Sequence, residues 1–204
     1  MKRHIELPVA WSALLGLLRT VLPSAYLAGG AIRDFDNGRT VKDFDVFFTE
    51  GRASIDTVEG ALMGLYAYKN GCPGEYMDAA REVMGTQTYR SLTGLPELNL
   101  ILLEKEFNPA SIIERVDFGL CQIGADPLGV EYTAAYEFDH ANRCFTLTRA
   151  ESVEGVMRSI KRFQRLQQKY QGWDMRWYEE DDGLVLDAMD ALGLGGFPRI
   201  VETF

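Results

Sequence analysis

Two aspartates separated by one residue, Asp43-Phe44-Asp45, stand thirteen positions beyond a glycine pair, Gly29-Gly30. On a strand, residues i and i+2 share a face, so these carboxylates would project side by side. Held that way they repel each other unless cations lie between them. Mg²⁺ takes one or two carboxylates and completes its shell with water and phosphate oxygens. A pair of such ions can clamp the attacking and leaving oxygens of an in-line displacement. Phe44, pointing the other way, would anchor the strand in the core. A lone D-x-D can equally be a solvated strand face on an acidic protein. The glycines add a second element. A strand–Gly-Gly–helix junction lets backbone N–H groups approach a phosphate, and a helix N-terminus favours negative charge. Arg33, in the following turn, can bring a guanidinium to the same anion. Together the pieces describe a triphosphate cradle facing a metal pair.

Such a site needs a scaffold. Pro8 to Leu22 carries apolar residues at helical spacing behind a proline suited to a helix start. Tyr26 to Ala28 reads as a short buried strand, and Ala31 to Gly38 as one or two helical turns stopped by Asn37-Gly38. Phe44 to Phe48 alternates acid with apolar residues, as a strand does. Ser54 to Tyr68 has a helical pattern, and so has Pro73 to Met84. Strands are expected over Gln87 to Thr93 and Leu98 to Leu103, and a short helix over Asn108 to Arg115. The apolar run Phe118 to Gly124 is a buried strand or helix. Val130 to Phe138 and Cys144 to Thr148, joined by "DHANR", read as a hairpin. Glu151 to Tyr170 is a helix, and Asp181 to Leu192 a final acidic one. The expected class is α+β, a mixed central sheet flanked by helices. A catalytic domain is expected over 1–148, and a small helical extension over 149–204.

The stretch "GGAIRDFDNGRTVKDFD" resembles the head motif of the class II nucleotidyltransferases. These are the CCA-adding enzymes and bacterial poly(A) polymerases of the DNA polymerase beta superfamily, whose pattern is GGAVRD, seven residues, then KD-[IL]-D. Gly29, Gly30, Arg33, Asp34, Gly38, Arg39, Lys42, Asp43 and Asp45 fall in register. The resemblance implies a nucleotidyltransferase fold in which Gly29 and Gly30 bind the triphosphate and Asp43 and Asp45 hold two Mg²⁺ ions. Arg33 and Asp34 would shape the loop, and Lys42 would hold the acid strand or meet phosphate. "ERVDFGLCQIGA" is similar to the family's RRDFTINALA, which contacts ribose and nucleotide. Arg115, Asp117 and Phe118 match, while Val116, Gly119 and the Cys121-Gln122 step depart from it. A third acid on a neighbouring strand is expected at Glu97 or Asp117. Asn99 stands at a strand position where an acid would fit.

Composition sets limits. The chain has 204 residues with a formal net charge of −9, which argues against a sequence-independent duplex binder. Arg158, Lys161, Arg162, Arg165 and Lys169 nevertheless line one stripe of the late helix, suited to a phosphate backbone or a triphosphate tail. Trp173, Trp177 and Tyr178 would stack on a base or pack a C-terminal cap onto the sheet. Three cysteines without a C-x-x-C pair argue against a disulfide framework or zinc site and for a reduced, cytoplasmic setting. The apolar "VAWSALLGLL", bracketed by Glu6 and Arg19, is too short to span a bilayer. Two functions fit. One is transfer of a nucleoside monophosphate from an NTP to a hydroxyl, with release of pyrophosphate; an RNA or tRNA 3′ end is the favoured acceptor, and a small molecule or a protein side chain fits as well. The other is a degenerate nucleotide- or RNA-binding protein on the same fold.

Overall fold

The computed structural model of the chain describes residues 4–69, 83–106 and 108–194. They fall into two compact units, Met1–Ile113 with Ile123–Glu131, and Glu114–Gln122 with Tyr132–Phe204.

The first unit is built on a mixed sheet flanked by helices. Helix α1 (Val9–Arg19) leads into β1 (Tyr26–Ala28), α2 (Gly30–Asp36) and β2 (Asp43–Phe48). Helix α3 (Arg52–Ala61), β3 (Tyr66–Lys69), β4 (Val83–Ser91), β5 (Glu97–Leu103) and a 3₁₀ helix (Pro109–Arg115) follow. The later strands β6 (Ile123–Asp126) and β7 (Gly129–Tyr132) complete a seven-stranded sheet of order β3-β4-β5-β2-β1-β6-β7. Strand β1 runs antiparallel to both β2 and β6, β4 antiparallel to both β3 and β5, and β2 parallel to β5. This is the expected α+β class with a mixed central sheet.

One face of that sheet holds the core of the unit. Phe44, Val46 and Phe48 are buried, as are Leu27, Leu98 and Leu100 on the neighbouring strands. Trp11 of α1 meets Phe44 edge-on at 4.7 Å and Phe35 of α2 at 5.1 Å. Burying Phe44 alone contributes about 2–3 kcal/mol, and it fixes which way β2 faces.

The second unit contains a 3₁₀ turn (Gly119–Cys121), α4 (Ala134–Asn142), β8 (Cys144–Leu147), α5 (Val153–Leu166), β9 (Asp174–Trp177), a 3₁₀ turn (Glu179–Asp181) and α6 (Asp182–Ala191). Strands β8 and β9 pair in parallel, so residues on both sides of the 148/149 boundary drawn on the sequence share one small sheet. Its core is aromatic: Phe145 meets Phe163, Tyr170, Trp173 and Phe118 at 5.2–5.9 Å. Trp173 and Trp177 are buried, and Trp177 Nε1 donates to Asp182 at 2.8 Å. Packing is therefore their role. Asp139 is buried at the centre of a polar knot. It accepts hydrogen bonds from the Leu120 N–H (2.7 Å), the Thr146 N–H (2.8 Å), the Thr146 hydroxyl (2.5 Å) and the Cys144 thiol (3.3 Å). Burial pushes the Asp139 carboxyl above its usual range against these bonds, and burial, then the Asp139 charge, pushes the Cys144 thiol up to about 12.

Several expected elements differ, and the helix expected over Glu151 to Tyr170 is α5, which ends at Leu166 and leaves Lys169 of the basic stripe beyond it. The hairpin over Val130 to Thr148 is instead β7, α4 and β8. Thr133 accepts from the Tyr136 N–H and caps α4; Tyr136 and His140 lie one turn apart on it with ring centroids 6.1 Å apart, and Tyr132 at the end of β7 meets Tyr136 at 5.6 Å. The helix over Ser54 to Tyr68 ends at Ala61; Gly64, at φ +83°, turns the chain into β3. The helix over Pro73 to Met84 lies outside the described residues except Val83 and Met84, which are on β4. The undecided run Phe118 to Gly124 is half 3₁₀ turn, half strand β6.

Candidate active site

Burial along β2 alternates residue by residue, and Asp43, Asp45 and Phe47 occupy the face opposite the core. The two aspartates thus project side by side, about 6–7 Å apart along the strand. The parallel register of β2 with β5 sets Glu97 beside Asp43 and Asn99 beside Asp45. The antiparallel register with β1 (Leu27↔Val46) brings the end of β1, and the glycine pair that follows it, to the end of β2 where the aspartates sit.

Each group has a definite partner. Asn99, buried, donates from Nδ2 to Asp45 Oδ1 at 2.9 Å and accepts at Oδ1 from the Thr88 hydroxyl at 2.8 Å. Glu97 turns to Lys69, whose Nζ lies 3.1 and 3.2 Å from its oxygens. Lys42, largely exposed, lies with Nζ 3.6 Å from Asp43 Oδ2, beside the acid strand.

The glycine elbow is shaped by its backbone. Gly29 adopts φ +78°, ψ −122° as the residue before α2, and its N–H donates to the Ile123 carbonyl at 2.8 Å. No side chain caps the first turn of α2. Arg33 and Asp34 are both buried, the guanidinium holding Asp34 Oδ1 at 2.6 and 2.8 Å. A Cβ on Gly30 would lie 3.5 Å from Arg33 Nη2, so the guanidinium sits behind the elbow. Gly29→Ala is expected to cost about 1–3 kcal/mol through backbone strain alone, since a Cβ there would meet no atom within 4 Å. A thermal melt showing wild-type stability for this variant would contradict the strained conformation.

The donor set suits hard cations. Two carboxylates on one sheet face, with a third at Glu97 in register with the first, match the oxygen preference of Mg²⁺, which keeps waters and takes phosphate oxygens for the rest of its shell. Among the described residues no group of three or more His, Cys, Asp or Glu is placed to hold a metal ion by itself.

Solved structures share the fold. A CCA-adding enzyme in complex with ATP superposes with a TM-score of 0.64 at 16% identity over 94% of this chain and 46% of that one. A tRNA-processing enzyme in its apo form gives 0.62 at 16% identity, over 93% and 49% of the two chains. A Thermotoga maritima CCA-adding enzyme complexed with tRNA gives 0.58 at 15% identity, over 88% and 42%. The chain has the nucleotidyltransferase fold. It spans less than half the length of each of these structures. No family model matches the sequence, and no curated protein matches it.

The remaining nucleotidyltransferase-motif residues lie in the second unit. Asp117 is engaged by α5 on both oxygens: Ser159 Oγ donates to Oδ2 at 2.8 Å and Arg162 Nη1 to Oδ1 at 2.5 Å. Arg115 ends the Pro109–Arg115 turn, and its carbonyl accepts from Arg149 Nη1 at 3.2 Å. Arg158 and Lys161 are exposed on α5, whereas Arg162, from the same stripe, is tied to Asp117. Gly119, where the family pattern carries threonine, is constrained by contact. A Cβ there would lie 2.8 Å from Asp139 Oδ2 and 3.1 Å from the Ala135 Cβ and carbonyl. Sequence reasoning did not single out Asp139 or Thr88; each is one polar residue in an otherwise ordinary segment, without a pattern to mark it.

Proposed function

We propose that the protein is a nucleotidyltransferase that moves a nucleoside monophosphate from an NTP to an acceptor hydroxyl and releases pyrophosphate. The observation that carries this reading is the pair Asp43 and Asp45 on one face of β2, beside the Gly29-Gly30 elbow. Asp43 and Asp45 hold two Mg²⁺ ions in this reading. When bound, such ions lower the pKa of the acceptor hydroxyl and neutralise charge developing on the leaving group. The chain's own residues orient the reactants. Gly29 sets the elbow against which the triphosphate lies, with Gly30 opening the turn behind it. The Arg33–Asp34 pair braces that elbow from the buried side, and Lys42 adds positive charge beside Asp43. No protein nucleophile is needed, because the acceptor hydroxyl attacks the α-phosphate directly.

The acceptor proposed is an RNA 3′ end, tRNA included. Support comes from the likeness to a CCA-adding enzyme complexed with tRNA and from the exposed Arg158 and Lys161 on α5, a local cationic surface on an acidic protein. Arg115 and Asp117 are retained as nucleotide-side residues on the motif resemblance, and Arg158 as part of the basic stripe of α5. The setting proposed is a reducing, cytoplasmic one, and Cys121 and Cys144 are both buried. Among the described residues no helix is long and apolar enough to cross a membrane.

One set of observations favours the second reading, a nucleotide- or RNA-binding protein without turnover. Asp117 is occupied by Ser159 and Arg162, Glu97 by Lys69, and Asn99 stands beside Asp45 where a further acid would fit. Incubation with each labelled NTP, Mg²⁺ and total RNA separates the two. Label carried into RNA supports the transferase; nucleotide retained on the protein with no label transferred supports the binding protein.

A further inference from the structure

We infer that Asn99 is a positioning residue that sets the plane of the Asp45 carboxylate for divalent-cation binding, with Thr88 fixing the amide that does so. The inference rests on the transferase reading of Asp43 and Asp45 and assigns a role to residues that reading leaves unused. Thr88 and Asn99 are buried, so their polar atoms answer to each other and not to bulk water. The Asp45 carboxylate can only accept, which settles the orientation of the amide: Nδ2 faces Asp45 and donates at 2.9 Å, and Oδ1 takes the Thr88 hydroxyl at 2.8 Å. The three side chains belong to adjacent strands, with Thr88 level with Asn99 across β4–β5 and Asn99 level with Asp45 across β5–β2. The relay is therefore held by sheet register and not by loop geometry.

Two consequences follow. The amide N–H holds one Asp45 oxygen in a fixed place, and an oriented carboxylate is what a hard cation takes. An amide also holds Asp45 without adding a negative charge at position 99. Mn²⁺ serves as a probe for Mg²⁺ because it takes the same oxygen donors.

The test is Mn²⁺ binding to the full chain without nucleotide, followed by electron paramagnetic resonance of the free ion, with thermal melts alongside. Asn99→Leu removes the donor at similar volume and is expected to weaken Mn²⁺ binding about 10–100-fold, as loss of an outer-shell ligand partner does. Thr88→Val releases the amide and is expected to weaken it in the same direction by less. A merely structural role would lower the melting temperature of both variants and leave Mn²⁺ affinity where it was; that result overturns the inference. Failure of the wild-type chain to bind Mn²⁺ removes this inference together with the two-aspartate site. Wild-type binding with unaltered Asn99→Leu affinity removes this inference alone.

Discussion

Asp45→Asn is expected to lower nucleotide incorporation by about 10²–10³-fold or more, the scale on which one group stabilising transition-state charge is felt. The substitution keeps the shape of the side chain, and its amide oxygen can still accept from Asn99 Nδ2. The neighbouring sheet residues need not move. What it removes is the negative charge that a hard cation requires. Asp43→Asn should do the same, whereas Glu97→Gln should fall by less, because Glu97 is already paired with Lys69. Stability should move the other way. Like charges two residues apart on one strand face oppose folding, so neutralising either aspartate should hold or raise the melting temperature. Loss of transfer together with unimpaired stability is the signature of carboxylates kept for function. Single-turnover incorporation of labelled NTP, with melts of the same samples, gives both readouts. Transfer that survives Asp45→Asn would end the metal-site reading.

How much of this site the sequence reveals depends on how far apart its members lie along the chain. The Asp43–Asp45 face was readable because strand alternation acts over two residues and Phe44 carries the opposite, apolar demand. The glycine elbow was readable for a similar reason, since Gly29 holds a backbone conformation that a side chain rarely adopts. The neighbours of the aspartates were not. Asn99 meets Asp45 across 54 residues through a parallel register, and nothing local announces which strand will pair with β2. Asn99 accordingly reads as an acid that is missing, whereas in the fold it is a donor to an acid that is present. The misread stretch from Val130 to Phe138 shows the converse. Its Val and Tyr residues suit a strand, but the Thr133 cap and the aromatic spacing of four favour helix from Ala134 onward.

Asp139→Ala should destabilise the chain by about 3–5 kcal/mol, although Asp139 has no part in the proposed chemistry. Removing the carboxylate strands the N–H groups of Leu120 and Thr146 and the Thr146 hydroxyl in a buried place, and it leaves a cavity between α4, β8 and the Gly119–Cys121 turn. Gly119→Thr, the residue that the family pattern carries, should unsettle the same knot from outside. The contact at 2.8 Å from Asp139 Oδ2 leaves no room for a Cβ. Asp139→Asn separates charge from shape. An amide oxygen can still take the two backbone N–H donors, and the Thr146 hydroxyl can turn to accept, so this variant should lose far less than Asp139→Ala. Its deficit should also vary with pH in a defined sense. Burial raises the Asp139 carboxyl pKa in the folded chain, so the fold holds a proton that the unfolded chain releases. The Asp139 contribution is then fully present below the ordinary carboxylate range and is lost as pH rises through the raised value. Asparagine has no such proton, and the gap between wild type and Asp139→Asn should narrow as pH rises from about 4 toward neutrality. Urea unfolding across that range measures it. A gap that widens with pH would mean that the four donors outweigh burial and keep Asp139 ionised.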